Sequence, residues 1–223
     1  MRNRFIIITE GQFNSVINDL ISQKLTLSTG DDQKSDSNQS IEKETNISDL
    51  KISDKGQQLL NNEIFKKKLD EISKEIGIDK NSIIKLMNHE SGLNPSIRNN
   101  IGCVGLIQFC PDKSRGNVKT ISGVQYNLND LQNNLPLQMD AIKAFWLEGK
   151  KQGKIKSNKD LYTYNLFPIA AGKSEDFVLK TNSMSAQTIA KANPIFNKVL
   201  GKPAGTPLTV GDLNRFYEKR NMT

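Results

Sequence analysis

Residues 83–111 read IIKLMNHESGLNPSIRNNIGCVGLIQFCP, and the reading of the whole chain turns on Glu90 within them. Asp79 is placed to cap a helix running from about Lys80 to Glu90. Ile83, Met87 and Glu90 then share one face at i, i+4 and i+7. A carboxylate therefore ends an otherwise apolar stripe, where a core-facing helix would carry another aliphatic side chain. Gly92 has the character of a residue that closes a helix, and Asn94-Pro95 stops the chain from continuing it. Apolar neighbours and the negative end of the helix dipole both raise the pKa of such a carboxyl group. A carboxyl that stays protonated near neutral pH is a proton donor. Taken without its flanks, Glu90 reads as a surface residue at a helix end.

The flanks change the reading. Glu90-Ser91-Gly92-Leu93-Asn94-Pro95 is followed by Gly102-Cys103-Val104-Gly105-Leu106-Ile107-Gln108-Phe109. In order and at short spacing, the two segments resemble the catalytic core of the soluble lytic transglycosylase and goose-type lysozyme superfamily. There an E-S-x-x-N-P segment ends the catalytic helix and a G-x-x-G-L-x-Q-F/L segment lines the sugar cleft. The pattern has a physical rationale. Glycines let backbone approach a sugar closely, and Gln108 offers both donor and acceptor to an N-acetyl or hydroxyl group.

A third stretch, Asp160-Leu161-Tyr162-Thr163-Tyr164-Asn165-Leu166-Phe167-Pro168-Ile169-Ala170-Ala171-Gly172, resembles the D-L-Y-x-x-x-x-x-P-x-A-x-G segment of phage-type members of that superfamily. The wider superfamily supplies a tyrosine from this region to the catalytic Glu or the substrate, usually beside an asparagine. Tyr164-Asn165 keeps the pair and Tyr162 matches the phage-type tyrosine, so both tyrosines are nominated. The resemblance spans roughly residues 57–218. It implies a mainly α, lysozyme-like, two-lobed domain with a substrate cleft. It also implies cleavage of the β-1,4 bond between N-acetylmuramic acid and N-acetylglucosamine, with Glu90 as the single acid/base. Ser91, Gln108, Phe109, Tyr162, Tyr164 and Asn165 are the expected substrate-binding residues. Two-carboxylate glycosidases need a second acid across the scissile bond. Asp112, Asp130 and Asp140, the next acidic residues, lie in no motif that would place one there, so a single-acid mechanism fits better; the resemblance implies either a 1,6-anhydro product, formed by the muramic acid 6-hydroxyl, or lysozyme-type hydrolysis.

Cofactor chemistry is not expected. Cys103, Cys110 and the single His89 make no metal cluster, and the two cysteines read as small buried hydrophobes. His89 adjoins Glu90 but points elsewhere on a helix, so it reads as incidental. Phage-type relatives often carry a calcium loop near the C-terminus. The corresponding Gly201-Lys202-Pro203-Ala204-Gly205-Thr206-Pro207-Leu208-Thr209-Val210-Gly211-Asp212 lacks the carboxylates that a hard cation requires, so calcium is not carried over. Thr209 caps a last helix over Leu213–Arg220.

The remaining organisation is simpler. Residues 1–26 combine a short apolar segment, Phe5 to Ile8, with a helical stripe of Phe13, Val16, Ile17, Leu20 and Ile21, and read as a docking unit. Residues 27–56 turn to Ser, Asp, Asn, Gln and Lys and read as a flexible polar linker before a domain at 57–223. That domain is expected to open with one helix from about Gln57 to Ile76, ended by Gly77. A helix begins at Leu135-Pro136 with Met139, Ile142, Phe145 and Trp146 on its apolar face, and residues 112–130 read as a polar loop at the rim of the cleft. Residues 1–56 carry a net charge of −2 and residues 57–223 a net of +9. An anionic polymer is the implied partner. Apart from Lys66-Lys67-Lys68 the basic residues are scattered and no nucleic-acid motif accompanies them, which places nucleic acid far behind peptidoglycan.

No apolar run is long enough to span a membrane or to form the core of a signal peptide. The expected setting is therefore a bacteriophage virion, in tail or baseplate, with residues 1–26 docked on a virion structural protein and the enzyme acting at the host cell wall or in the periplasm. The rival reading is an inactive structural virion protein that keeps the fold.

Overall fold

The computed structural model describes residues 50–112, 115–182 and 184–221. The docking unit and most of the linker lie outside the described residues. Among the described residues there are nine helices and one two-stranded hairpin, a mainly α lysozyme-like arrangement.

The domain begins earlier than the linker reading places it. Leu50 and Ile52 pack against the core, and α1, Asp54–Leu60, is capped by Ser53, whose Oγ accepts from the Gly56 amide. Ser53 Oγ also donates to the Gly92 carbonyl, 3.3 Å away, so this turn touches the end of the Glu90 helix. The single helix expected from Gln57 to Ile76 is two. Asn61 and Asn62 interrupt it, and Asn62 starts α2, Glu63–Ile76, by accepting from the Phe65 amide. Asparagine favours a cap over a helix interior because its side chain competes for backbone groups. Phe65, Leu69, Ile72 and Ile76 form the buried stripe of α2, and Gly77 closes it at φ 74°.

Next comes α3, Lys80–Ser91, with Asp79 accepting from Ser82 N–H as expected. Its bonds close through the Gly92 N–H to Asn88 O and the Leu93 N–H to Met87 O, with Gly92 left-handed at φ 64°. The loop expected over residues 112–130 contains regular structure from Val118 onward. β1, Val118–Ile121, and β2, Val124–Asn127, pair antiparallel with Ile121 opposite Val124, and α4, Leu128–Asn133, follows directly. Ser122 and Gly123 both take positive φ, the two-residue turn whose twist matches that of paired strands. The strands are four residues long, too short for alternation to stand out among the polar residues around them.

The centre of the core is α5, Leu135–Lys151, which opens on Pro136 and buries Gln138, Met139, Ala141, Ile142, Phe145, Trp146 and Gly149. It lies along α2. Asp140–Lys68 and Lys143–Glu75 ion pairs fringe that contact, exposed enough to add little. α6, Asn158–Leu166, is capped by Ser157, which accepts from Asp160 N–H.

The chain then returns through α7, Ala186–Ala192, α8, Pro194–Leu200, and α9, Val210–Asn221. Thr209 starts α9: its Oγ1 accepts from Asp212 N–H while Asp212 Oδ2 accepts from Thr209 N–H. Asp212 is fully buried and also bonds Lys202 and Arg215. Burial alone would raise its pKa. The Lys202 hydrogen bond, with Thr209 and Arg215, outweighs that and holds the carboxyl below its ordinary value. The one carboxylate in the stretch from Gly201 to Asp212 is thus committed to Lys202 and Arg215. No helix among the described residues is long and apolar enough to cross a membrane.

Candidate active site

Glu90 stands in the last turn of α3, one turn beyond Met87 and two beyond Ile83, both fully buried. Its carboxylate is thus brought to the margin of the core by the same periodicity that buries its neighbours. Desolvation raises its pKa from 4.5 to about 7, and the hydrogen bond from Asn165 opposes that rise in part. Near neutral pH the group is divided between acid and carboxylate, so it can give a proton and take one back.

Asn165 arrives from the end of α6. Its Nδ2 donates to Glu90 Oε1 and to the Ile107 carbonyl, each at 3.4 Å. Both partners are oxygens, so only the NH2 side of the amide can face them and the amide orientation follows from the chemistry. One side chain thereby joins the end of the Glu90 helix, the glycine segment and α6.

The glycine segment is a tight reversal. Val104 and Phe109 exchange both backbone hydrogen bonds at 2.9 Å, and Gly105 N–H donates to Ile97 O. Gly105 has φ 78°, and Gln108 occupies the left-handed region at φ 59° without being glycine. Such backbone is unfavourable by about 1–2 kcal/mol and persists where the surroundings enforce it. Here Gln108 N–H and its own Nε2 both bond the Gly105 carbonyl, at 3.2 and 2.9 Å, which closes the turn. The Val104–Phe109 pairing also sets Cys103 and Cys110 opposite each other, and they form a disulfide. The expectation of two independent small hydrophobes fails because a hairpin, invisible in composition, brings them together.

Arg98 braces the same segment from outside. It donates to Gly102 O, Gln132 Oε1, Asn117 Oδ1 and Asn129 Oδ1, tying the segment to the hairpin and α4. Gln138, wholly buried, braces it from inside by accepting from the Leu106 amide. Neither residue was nominated from sequence. Gln138 had a legible signal, a polar residue on the buried face of α5, whereas the partners of Arg98 lie too far along the chain to be read.

The nominated residues fall into two groups. Glu90, Gln108 and Asn165 are partly accessible and converge on the glycine segment. Ser91, Phe109, Tyr162 and Tyr164 are buried. Ser91 Oγ donates to Met87 O within its own helix. Phe109 meets Phe145 edge-on at 5.9 Å, and Tyr164 packs on Phe145 at 4.8 Å. Tyr162 stacks on Tyr217 at 4.3 Å and approaches His89 Nε2 through its hydroxyl at 3.4 Å. His89 is therefore not incidental to the packing: its ring also meets Phe216 and Tyr217 edge-on and couples α3 to α9.

Of the three aspartates considered as a second carboxylate, Asp112 bonds Thr120 N–H and Lys119, and Asp140 pairs with Lys68. Asp130 lies exposed in the first turn of α4. Among the described residues, no group of three or more His, Cys, Asp or Glu could hold a metal ion.

A family model described as the transglycosylase SLT domain matches residues 68–173, from α2 through the turn after α6. No curated protein and no solved structure matches the chain. The matched span holds Glu90, the glycine segment and Asn165 together, and residues 68–173 of this chain belong to the transglycosylase SLT domain family.

Proposed function

We propose that this chain cleaves the β-1,4 bond between N-acetylmuramic acid and N-acetylglucosamine in peptidoglycan, with Glu90 as its one acid/base. The observation that carries the reading is a carboxyl group desolvated to a pKa of about 7 and held by the Asn165 amide. Protonated Glu90 gives its proton to the glycosidic oxygen as the bond from that oxygen to C1 of the muramic acid breaks. The sugar's own 6-hydroxyl oxygen then bonds to C1, and the Glu90 carboxylate accepts the hydroxyl proton. The products are a free N-acetylglucosamine 4-hydroxyl and a 1,6-anhydro end. No water is consumed and Glu90 ends as it began. Mass spectrometry of muropeptides released from purified peptidoglycan tests this: anhydro ends are expected, and reducing ends alone would replace the reading with lysozyme-type hydrolysis.

For the setting we propose a bacteriophage virion, in tail or baseplate, where the enzyme opens the wall during infection. The support is the likeness of residues 160–172 to phage-type members and the docking character of residues 1–26. The full chain should bind a purified virion structural protein and the chain lacking residues 1–26 should not. Equal binding by both, or by neither, removes the docking role.

A further inference from the structure

We propose that Gln138 is a positioning residue for the reaction: through the glycine segment it sets where Asn165 holds Glu90. The proposal rests on the functional reading above but can be tested without turnover.

Gln138 is fully buried on α5, where the stripe of Met139, Ile142, Phe145 and Trp146 would accommodate an aliphatic side chain. Its amide bonds backbone partners from three segments. Oε1 accepts from Leu106 N–H at 2.9 Å, in the glycine segment. Nε2 donates to Pro95 O at 2.9 Å, just after the Glu90 helix, and to Leu131 O at 2.6 Å, in α4. An N–H at one end and two carbonyls at the other admit only this amide orientation. An ester-like or hydrocarbon replacement cannot reproduce it.

The neighbour of Leu106 on the glycine segment is Ile107, whose carbonyl accepts from Asn165. The amide of Asn165 is shared between that carbonyl and Glu90. The route from Gln138 to Glu90 is thus Gln138 to Leu106, one peptide unit to Ile107, then Asn165. Gly105 is part of the device. A Cβ there would fall 2.6–2.7 Å from the Gln138 amide atoms, so the absent side chain at Gly105 makes the room in which Gln138 reaches Leu106. The amide fixes the loop height relative to α3, which packing among flexible aliphatic side chains does not specify.

The titration of Glu90 distinguishes positioning from general support. Burial and the Asn165 hydrogen bond are the causes of the Glu90 shift, and no charged side chain contributes to it. If Gln138 acts through Asn165, displacing the loop weakens the bond that favours the carboxylate, and Glu90 holds its proton to higher pH. A merely structural Gln138 would change stability and leave that titration alone.

The test is a carboxyl-carbon NMR titration of Glu90, assigned with Glu90→Gln, in the full chain. Wild type is compared with Gln138→Met and Asn165→Ala, and each is also assayed for muropeptide release. In both variants Glu90 should titrate above the wild-type value. In Gln138→Met, kcat should fall about 10- to 100-fold with KM nearly unchanged, the scale expected when a catalytic group is misplaced. Adding Gln138→Met to Asn165→Ala should cost little more, since both act on one bond. If Gln138→Met does not fold, Gln138→Ser is read instead, because its small polar side chain lets water satisfy the three backbone groups while the loop is untied. A folded variant in which Glu90 titrates as in wild type overturns the proposal, even when activity falls. Wild type that releases nothing from peptidoglycan counts against the functional reading alone, since the Glu90 titration still decides the role of Gln138.

Discussion

Glu90 occupies a position where an apolar side chain would be more stable, and its protonation records the conflict. Unfolded, it ionises at its ordinary 4.5; folded, at about 7. Below 4.5 both states are protonated and the group is neutral toward stability. From 4.5 to 7 only the unfolded state releases its proton, so stability falls with rising pH, by about 3 kcal/mol once pH exceeds 7. Glu90→Gln cannot ionise. Its melting temperature should exceed wild type at pH 8 by about 5–10 °C and match it near pH 4.5, by calorimetry. Equal shifts at both pH values would mean that the carboxyl is hydrated. Activity should decline as pH rises through about 7, because the proton given to the glycosidic oxygen is no longer present. Asn165→Ala removes a bond to the carboxylate and should move that decline to higher pH, read from the profile of kcat. Helical periodicity places Glu90 at the end of an apolar stripe, and only the flanking Ser91–Pro95 and Gly102–Phe109 segments single it out from a surface residue. Asn165 was nominated by resemblance; Gln138 was missed although a polar residue on the buried face of α5 is a local signal, because its partner lies 32 residues away in sequence.

The elements around the site divide along the same line. The caps of α3, Asp79 and Gly92, and the closing Gly77 of α2 were readable because each acts on its own neighbours. The hairpin of β1 and β2 and the reversal that joins Cys103 to Cys110 were not, since short strands declare themselves only through their partners. Two glycines of the site make different demands. Gly92 needs only its left-handed backbone, with open space where a Cβ would lie. Gly105 needs both its backbone and the space that the Gln138 amide fills. Gly92→Ala should therefore cost about 1–2 kcal/mol in urea denaturation, and Gly105→Ala about 2–5, by adding overpacking to the same backbone term. Equal costs would mean that the Gln138 amide yields freely to a methyl group.

At the scale of the molecule, the span matched to the SLT family ends at residue 173, while the packing of its site does not. Tyr217 on α9 stacks on Tyr162, and its hydroxyl donates to Ser82 O of α3 at 3.5 Å. Leu213 and Phe216 are buried beside it. The first turn of α3 through Ser82 and its last turn through His89, whose ring meets Phe216 and Tyr217, are thus both held by a C-terminal helix beyond the family match. A chain ending at residue 173 should lose cooperative thermal unfolding by circular dichroism and lose activity with it. A cooperative, active fragment would show that α7 to α9 only decorate the domain. The mainly α class was legible through the resemblance of residues 57–218, with the caps and apolar stripes of single helices in keeping with it. The dependence of the site on α9 was not, because nothing within residues 213–220 shows that Phe216 and Tyr217 meet His89 and Tyr162 from other elements.

The central claim is that Glu90 moves the proton that breaks the glycan strand. Purified peptidoglycan incubated with wild type and with folded Glu90→Gln, with soluble muropeptides quantified over time, tests it most directly. Wild type should release muropeptides, and Glu90→Gln should release them at least about 10²- to 10⁴-fold more slowly, the contribution of a positioned acid/base. Equal release by the two proteins, or none by wild type across pH 5 to 8, would contradict it.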